Sequence, residues 1–182
     1  MKICPVEPGR LWGKIQAIGI RMSKVYLGLG TNLGNRVENM NRAIEGLAEQ
    51  VKVLNVSPMY ETAAWGVEEQ PDFLNLCLAG ETNLGAWGLL RFVKDLEITL
   101  GREETVRWGP RLIDIDILLF GDLMIDEQGM TIPHKGIPAR ATVLVPLADI
   151  APNLIHPLAD VTIAEMLTKV DTSGVWPYVE EI

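Results

Sequence analysis

The chain has 182 residues, 48% of them hydrophobic and 22% charged, a balance that excludes a disordered polypeptide and leaves room for one domain with a substantial core. Its formal net charge of -8 argues against nucleic-acid partners, whose phosphates require a basic face. No apolar run approaches the roughly 18 residues that span a bilayer, so no membrane partner is expected. The two cysteines, Cys4 and Cys77, match neither a disulfide framework nor a metal-ligand spacing. Pro5, Glu7, Pro8 and Arg10 interrupt any secretory leader, so a cytoplasmic location is expected.

Residues 1–23 carry no clear period and read as an N-terminal extension, with 24–182 as a single domain. A first strand is expected over 25–29, closed by turn chemistry at Gly30-Thr31-Asn32-Leu33-Gly34. The glycines there lack the spacing of a dinucleotide fingerprint and read as a structural turn. Val37, Met40, Ile44, Leu47 and Val51 recur at helical spacing after Asn35, a suitable N-cap. A strand over 51–56 and a long connection over 57–71 follow. Residues 73–82 alternate, with Leu74, Leu76 and Leu78 on one face and Phe73, Asn75, Cys77 and Ala79 on the other. Residues 86–100 read as a second helix, capped by Gly101.

A polar loop, 102–111, leads into an apolar strand, and Gly121-Asp122 is expected to turn that strand back into a short partner over 123–125. A helix over 140–150 interrupted by Pro146, and a last helix over 162–170, complete the pattern. Alternating strands and helices with hairpin punctuation favour an α+β sandwich.

The strand after the polar loop carries Asp114 and Asp116. Residues two apart on a strand point the same way, so these carboxylates converge while Ile113, Ile115 and Ile117 face the other side. Converging carboxylates in an apolar setting require a cation or proton between them. Oxygen ligands on one face suit Mg²⁺, which keeps waters and is held by one or two carboxylates plus substrate phosphates. Arg102, Arg107 and Arg111 stand just upstream, and the guanidinium fork matches phosphate. Metal-bound phosphate chemistry is the functional class this pattern favours over solvated charges on an edge strand. Phosphate transfer, metal-dependent phosphate hydrolysis and simple nucleotide binding all remain open on these residues. Phe73 and Asn75 suit a flat heterocycle, the ring by stacking and the amide at an edge. His134 and Trp65 are weaker candidates.

The segment Arg107-Trp108-Gly109-Pro110-Arg111-Leu112-Ile113-Asp114-Ile115-Asp116 resembles the signature of the 6-hydroxymethyl-7,8-dihydropterin pyrophosphokinase (HPPK) family. Gly30 to Gly34, Tyr60-Glu61-Thr62, Gln70 to Asn75, Glu97 with Gly101-Arg102, Pro133-His134 and Arg140 before Leu144-Val145-Pro146-Leu147 match family landmarks in order. The resemblance spans about residues 24–170. It implies a ferredoxin-like sandwich, mainly antiparallel sheet flanked by helices, as a monomer or weak homodimer.

It further implies ATP as co-substrate, two Mg²⁺ ions, and transfer of pyrophosphate to the pterin hydroxymethyl group with release of AMP, a step of folate biosynthesis. Carried over by motif, Asp114 and Asp116 would bind metal, and Arg102 and Arg111 would be catalytic. Glu97, Arg107, Trp108, Ile117, Thr131, His134, Lys135 and Arg140 would bind ATP. Thr62, Trp65, Phe73 and Asn75 would bind pterin. Thr142 stands where the family usually has a second ring against the pterin, and Lys135 where an aromatic or proline commonly follows the histidine.

Overall fold

The computed structural model describes residues 22–63, 70–102 and 109–179. Its central element is an antiparallel sheet built from β1 (Ser23–Thr31), β2 (Lys52–Val56), β3 (Tyr60–Thr62), β4 (Phe73–Thr82), β5 (Asp114–Phe120) and β8 (Val175–Pro177), in the order β5-β1-β4-β3-β8 with β2 also paired to β4. β2 and β3 lie end to end along the same side of β4. Ser57 fills the break between them, its N–H donating to the Cys77 carbonyl and its Oγ accepting from the Cys77 N–H. A separate hairpin pairs β6 (Ile125–Glu127) with β7 (Met130–Ile132).

Four helices, α1 (Arg36–Leu47), α2 (Ala86–Thr99), α3 (Ala141–Ile150) and α4 (Ile163–Leu167), cover the sheet among the described residues. Leu27, Leu29, Leu74, Leu76, Leu78 and Ile115 bury one sheet face against α1 and α2 through Met40, Ala43, Leu47, Leu89 and Val93. Tyr26, Cys77, Ala79, Leu118 and Leu119 bury part of the other against α3 and α4 through Leu144, Leu147, Ile163 and Met166. The alternation expected along β4 is therefore the division between the two cores. A register shift opposite Tyr26 and Leu27 leaves Leu118 as an extra residue, which puts Leu118 and Leu119 together in the second core. Gly28 accommodates it, since a Cβ there would lie 3.3 Å from a Leu118 methyl. The result is the ferredoxin-like α+β sandwich.

Local chemistry explains the helix ends. Asn35 caps α1, its side chain accepting from the Glu38 N–H, and Gly101 follows α2 at φ +96°, a conformation that favours glycine. Thr162 and Glu165 form a reciprocal capping box that allows α4 to exist at only five residues.

Five expectations are corrected. Gly30 and Thr31 belong to β1, because their backbones pair with β4 and β5, and the turn starts at Asn32. Leu123 to Ile125 does not return along β5; the hairpin forms instead between β6 and β7 around Gly129 at φ +93°. α3 continues through Pro146, which is buried on the core, because packing compensates for the hydrogen bond that proline cannot donate. α4 stops well short of residue 170. β5, whose apolar run argues against an edge position, is an edge strand, and β8 carries no comparable signal in the sequence.

The outer side of β5 is nonetheless covered. Glu97 Oε1 accepts from the Ile115 N–H at 2.6 Å, Lys94 Nζ donates to the Ile115 carbonyl at 3.1 Å, and the His134 N–H donates to the Leu118 carbonyl at 2.9 Å. Among the described residues no helix is long and apolar enough to cross a membrane.

Candidate active site

At the end of the sheet where β1 stops and β4 and β5 begin, the face shared with α3 and α4 carries polar side chains. The register aligns Asp114 with Gly30, Gly30 with Asn75, and Asn75 with Tyr60; one step further, Asp116 aligns with Gly28 and Gly28 with Cys77. Gly30 keeps the floor open between the acids and the amide, because a Cβ there would sit 3.2 Å from Asn75 Oδ1.

The two acids differ in environment. Arg102 Nη1 lies 2.6 Å from Asp114 Oδ1 and 2.6 Å from Glu97 Oε2, while Arg111 Nη1 lies 2.7 Å from Asp114 Oδ2. Burial alone would raise the Asp114 carboxyl, but the charges of Arg111, Arg102 and Lys94 hold it below the ordinary carboxylate range. Among the described residues no arginine clamps Asp116 in this way: burial and the neighbouring Asp114 charge push it upward, against smaller opposing effects of His134, Lys94 and Arg140. His134 Nε2 is 3.9 Å from Asp116 Oδ2, and its Nδ1 accepts from the Gly136 N–H, which leaves the Nε2 side to face the acid.

Beside Asp116 opens a cavity of about 400 Å³, lined by Leu90, Lys94, Ile115, Asp116, Ile117, Met130, Thr131, Ile132, His134 and Lys135 among others. Its apolar walls and convergent polar groups fit a small-molecule site. Ile117, Thr131, His134 and Lys135, all named above as nucleotide contacts, line this one cavity. Lys135 is engaged with Asp126 at 3.2 Å. Arg140 begins α3 and reaches Asp116 through charge without lining the cavity. Glu97 does not line it either. It is only 2% exposed, behind β5, and anchors Arg102, Lys94 and the Ile115 amide. Burial raises the Glu97 carboxyl, and Lys94, the Ile115 amide and Arg102 oppose that rise.

On the other side of the acids, Asn75 Nδ2 donates to Thr62 Oγ1 at 2.9 Å, and the Phe73 ring lies 5.8 Å from the Arg111 guanidinium carbon. Phe73, Asn75 and Thr62 therefore form one wall that meets the arginines. Thr142 lies in the first turn of α3. Trp65, Arg107 and Trp108 lie outside the described residues.

Two residues with structural claims on this site are absent from the sequence-based assignment. Lys94 lines the cavity beside Asp116 and lies 3.9 Å from Asp114 Oδ1; its position one helical turn before Glu97 is the available signal. Asn32, 1% exposed, bonds the backbone on both sides of the site, and its segment was read as a turn.

Among the described residues there is no cluster of three or more acidic, His or Cys side chains able to cage a metal. A pair of carboxylates on one face, one held ionised by arginines and one without a clamp, fits instead a magnesium ion that shares its coordination with substrate phosphates. The fold and the site thus define an α+β domain with acids, arginines and a nucleotide-sized cavity arranged for phosphoryl-group chemistry.

The comparisons narrow that class. The sequence model of the 7,8-dihydro-6-hydroxymethylpterin-pyrophosphokinase (HPPK) family matches residues 26–152. A relative from Aquifex aeolicus (strain VF5), named 2-amino-4-hydroxy-6-hydroxymethyldihydropteridine pyrophosphokinase, is 44% identical over 137 residues, spanning 75% of this chain and 86% of its own. One of the same name from Methylorubrum extorquens is 40% identical over 156 residues, spanning 85% of this chain and 98% of its own. The chain belongs to the HPPK family. A crystal structure of Plasmodium falciparum HPPK-DHPS shares the fold at a TM-score of 0.68 and 19% identity, over 82% of this chain and 44% of that one.

Proposed function

We propose that this chain transfers the terminal pyrophosphate of ATP to the hydroxymethyl group of 6-hydroxymethyl-7,8-dihydropterin and releases AMP. The reading is carried by one observation: Asp114 and Asp116 share a strand face between a cavity on one side and the Phe73–Asn75–Thr62 wall on the other, with Arg102 and Arg111 at the junction. Kinship with relatives named for this pyrophosphokinase supports it.

In the reaction the acceptor hydroxyl oxygen forms a bond to the β-phosphorus, the bond from that phosphorus to the α-β bridging oxygen breaks, AMP departs and the hydroxyl proton is released. Asp114 and Asp116 would hold two Mg²⁺ ions. Magnesium, when bound, neutralises phosphate charge and makes the acceptor hydroxyl easier to deprotonate. The rest falls to the protein. Arg102 and Arg111, which pair with Asp114 at the junction, would neutralise charge that develops on the transferring phosphates. Ile117 and Thr131 wall the nucleotide cavity, while His134, Lys135 and Arg140 address its phosphates. Phe73 stacks on the pterin, and Asn75, oriented by Thr62, reads its edge. Glu97 acts behind them by holding Arg102. Arg107, Trp108 and Trp65 enter on family resemblance alone.

The test is AMP formation from ATP and Mg²⁺ with and without the dihydropterin. Pterin-dependent AMP is expected, and release of phosphate or pyrophosphate that ignores the pterin would replace the proposal by a metal-dependent hydrolase. Asp116→Ala should abolish AMP formation while leaving the melting temperature nearly unchanged.

A further inference from the structure

Asn32 sits just beyond the end of β1, buried to 1% exposure, and every hydrogen-bonding group of its side chain is spoken for by backbone or side-chain groups from two distant segments. Its Nδ2 donates to the Pro71 carbonyl at 3.0 Å and to Gln70 Oε1 at 3.1 Å. Its Oδ1 accepts from the Arg111 N–H at 2.8 Å, and its own N–H donates to the Arg111 carbonyl at 3.1 Å. Gln70 and Pro71 enter β4 directly ahead of Phe73 and Asn75. Arg111 carries one of the guanidiniums on Asp114 and closes the polar loop ahead of β5. One amide thus bonds the chain on the acceptor side and the chain on the phosphate side.

Neighbouring residues make this placement firm. Thr31, fully buried, ends β1 opposite Leu74, and Asn39 on α1 donates to the Leu33 carbonyl at 2.8 Å, so the backbone on both sides of Asn32 is held. An aliphatic side chain would keep the backbone bond to the Arg111 carbonyl but cannot satisfy the three groups that the Asn32 side chain satisfies, and each left unpaired in a buried place is costly. The bond to the Arg111 amide also decides where that guanidinium starts, since the side chain pivots about a backbone fixed at both its N–H and its carbonyl.

We infer that Asn32 is a positioning residue that holds the pterin wall and the arginine clamp in one register, so that the acceptor oxygen and the phosphate meet at a fixed separation. The inference rests on the roles proposed above for Arg111 and for the Phe73–Asn75 wall. Placing two reactants is worth large rate factors, and a displacement of about 1 Å can cost roughly a hundredfold.

The experiment is a kinetic double-mutant cycle with Asn32→Ala and Arg111→Ala, read as kcat and as KM for the dihydropterin and for ATP, at a temperature below the melting point of every variant. Asn32→Ala is expected to lower kcat at least about tenfold and raise the pterin KM by a similar factor. In the Arg111→Ala background, the same substitution is expected to cost little further kcat while still raising the pterin KM. Asn32→Asp separates the two arms and serves as well if the alanine variant fails to fold. It keeps an acceptor for the Arg111 amide but turns an oxygen toward the Pro71 carbonyl, so it should raise the pterin KM more than it lowers kcat.

The inference is overturned if the Asn32→Ala and Arg111→Ala losses in kcat simply multiply, which is the behaviour of a general structural residue. It is overturned equally if the folded Asn32 variants keep both constants within twofold of wild type. Normal kcat in Arg111→Ala alone would instead refute the role of Arg111 and take this inference with it, so the two failures are told apart.

Discussion

Glu97 gives the sharpest test of how the site is held, because two substitutions separate its structural and functional contributions. One carboxylate oxygen accepts from the buried Ile115 N–H at 2.6 Å and from Lys94 at 2.7 Å, and the other meets Arg102 at 2.6 Å. Glu97→Ala strands the Ile115 amide, which costs about 1–3 kcal/mol. Lys94 and Arg102 remain 40% and 28% exposed and regain water, so their lost partner adds about 1 kcal/mol or less. The sum is about 1–4 kcal/mol, or a fall in melting temperature of roughly 2–16 °C for a domain of this size. Glu97→Gln keeps an oxygen for Ile115 and Lys94. Burial already raises the Glu97 carboxyl, so its charge adds little net stability, and this variant should lose about 1 kcal/mol at most.

Its amide N–H₂, however, faces the Arg102 guanidinium, donor against donor. Arg102 then rests on Asp114 alone, and kcat should fall roughly ten- to a hundredfold. Thermal unfolding followed by circular dichroism, beside steady-state kinetics, reads both effects. Equal destabilisation by alanine and glutamine, or a kcat for Glu97→Gln within twofold of wild type, refutes the reasoning.

Three further outcomes follow from local geometry. His156 is 2% exposed, accepts the Leu158 and Ala159 N–H groups at Nδ1, and has no partner at Nε2 among the described residues; burial lowers its pKa below the ordinary value. Because the unfolded chain takes the proton first, stability should fall as pH drops through about 6.5, and His156→Asn should flatten that slope in urea titrations between about pH 7 and 5. Gly80→Ala would place a Cβ 2.5 Å from Val51 and 3.0 Å from the Lys52 carbonyl, so a loss of about 1–3 kcal/mol is expected in chemical denaturation, and a neutral result would contradict the tight β2–β4 contact. Gly30→Ala pushes on Asn75 Oδ1 and should raise the pterin KM about fivefold with ATP KM unchanged, whereas an unchanged pterin KM would separate Gly30 from that wall.

The strands and helices with strong periods were legible in the sequence. The β4 alternation, the Asn35 cap and the Gly101 stop each depend on neighbours close in the chain. What failed was decided by distant partners. Nothing local to residues 123–132 says that β6 will pair with β7 instead of β5, since the far side of β5 is claimed by Glu97, Lys94 and His134 from elsewhere. β8 is three residues long and exists because β3 offers it an edge, with Tyr178 bonded to Met59 just beyond. At the site, the spacing of Asp114 and Asp116 was enough to place both carboxylates on one face. Their difference was not legible, because it comes from which acid the arginines reach. Glu97 was expected among the nucleotide contacts and stands behind the strand, a distinction that only packing makes.

The edge position of β5 has a consequence for solubility. Ile113, Ile115, Ile117, Leu118, Leu119 and Phe120 make this stretch apolar and rich in strand-forming residues, and an uncovered edge of that composition would template pairing with other molecules. Lys94, Glu97 and His134 occupy the backbone groups that an incoming strand would need. The residues that set the charge around the acids therefore also guard the protein against self-association, and substitutions at Lys94 or Glu97 carry a concentration-dependent risk that a dilute melting curve would not register.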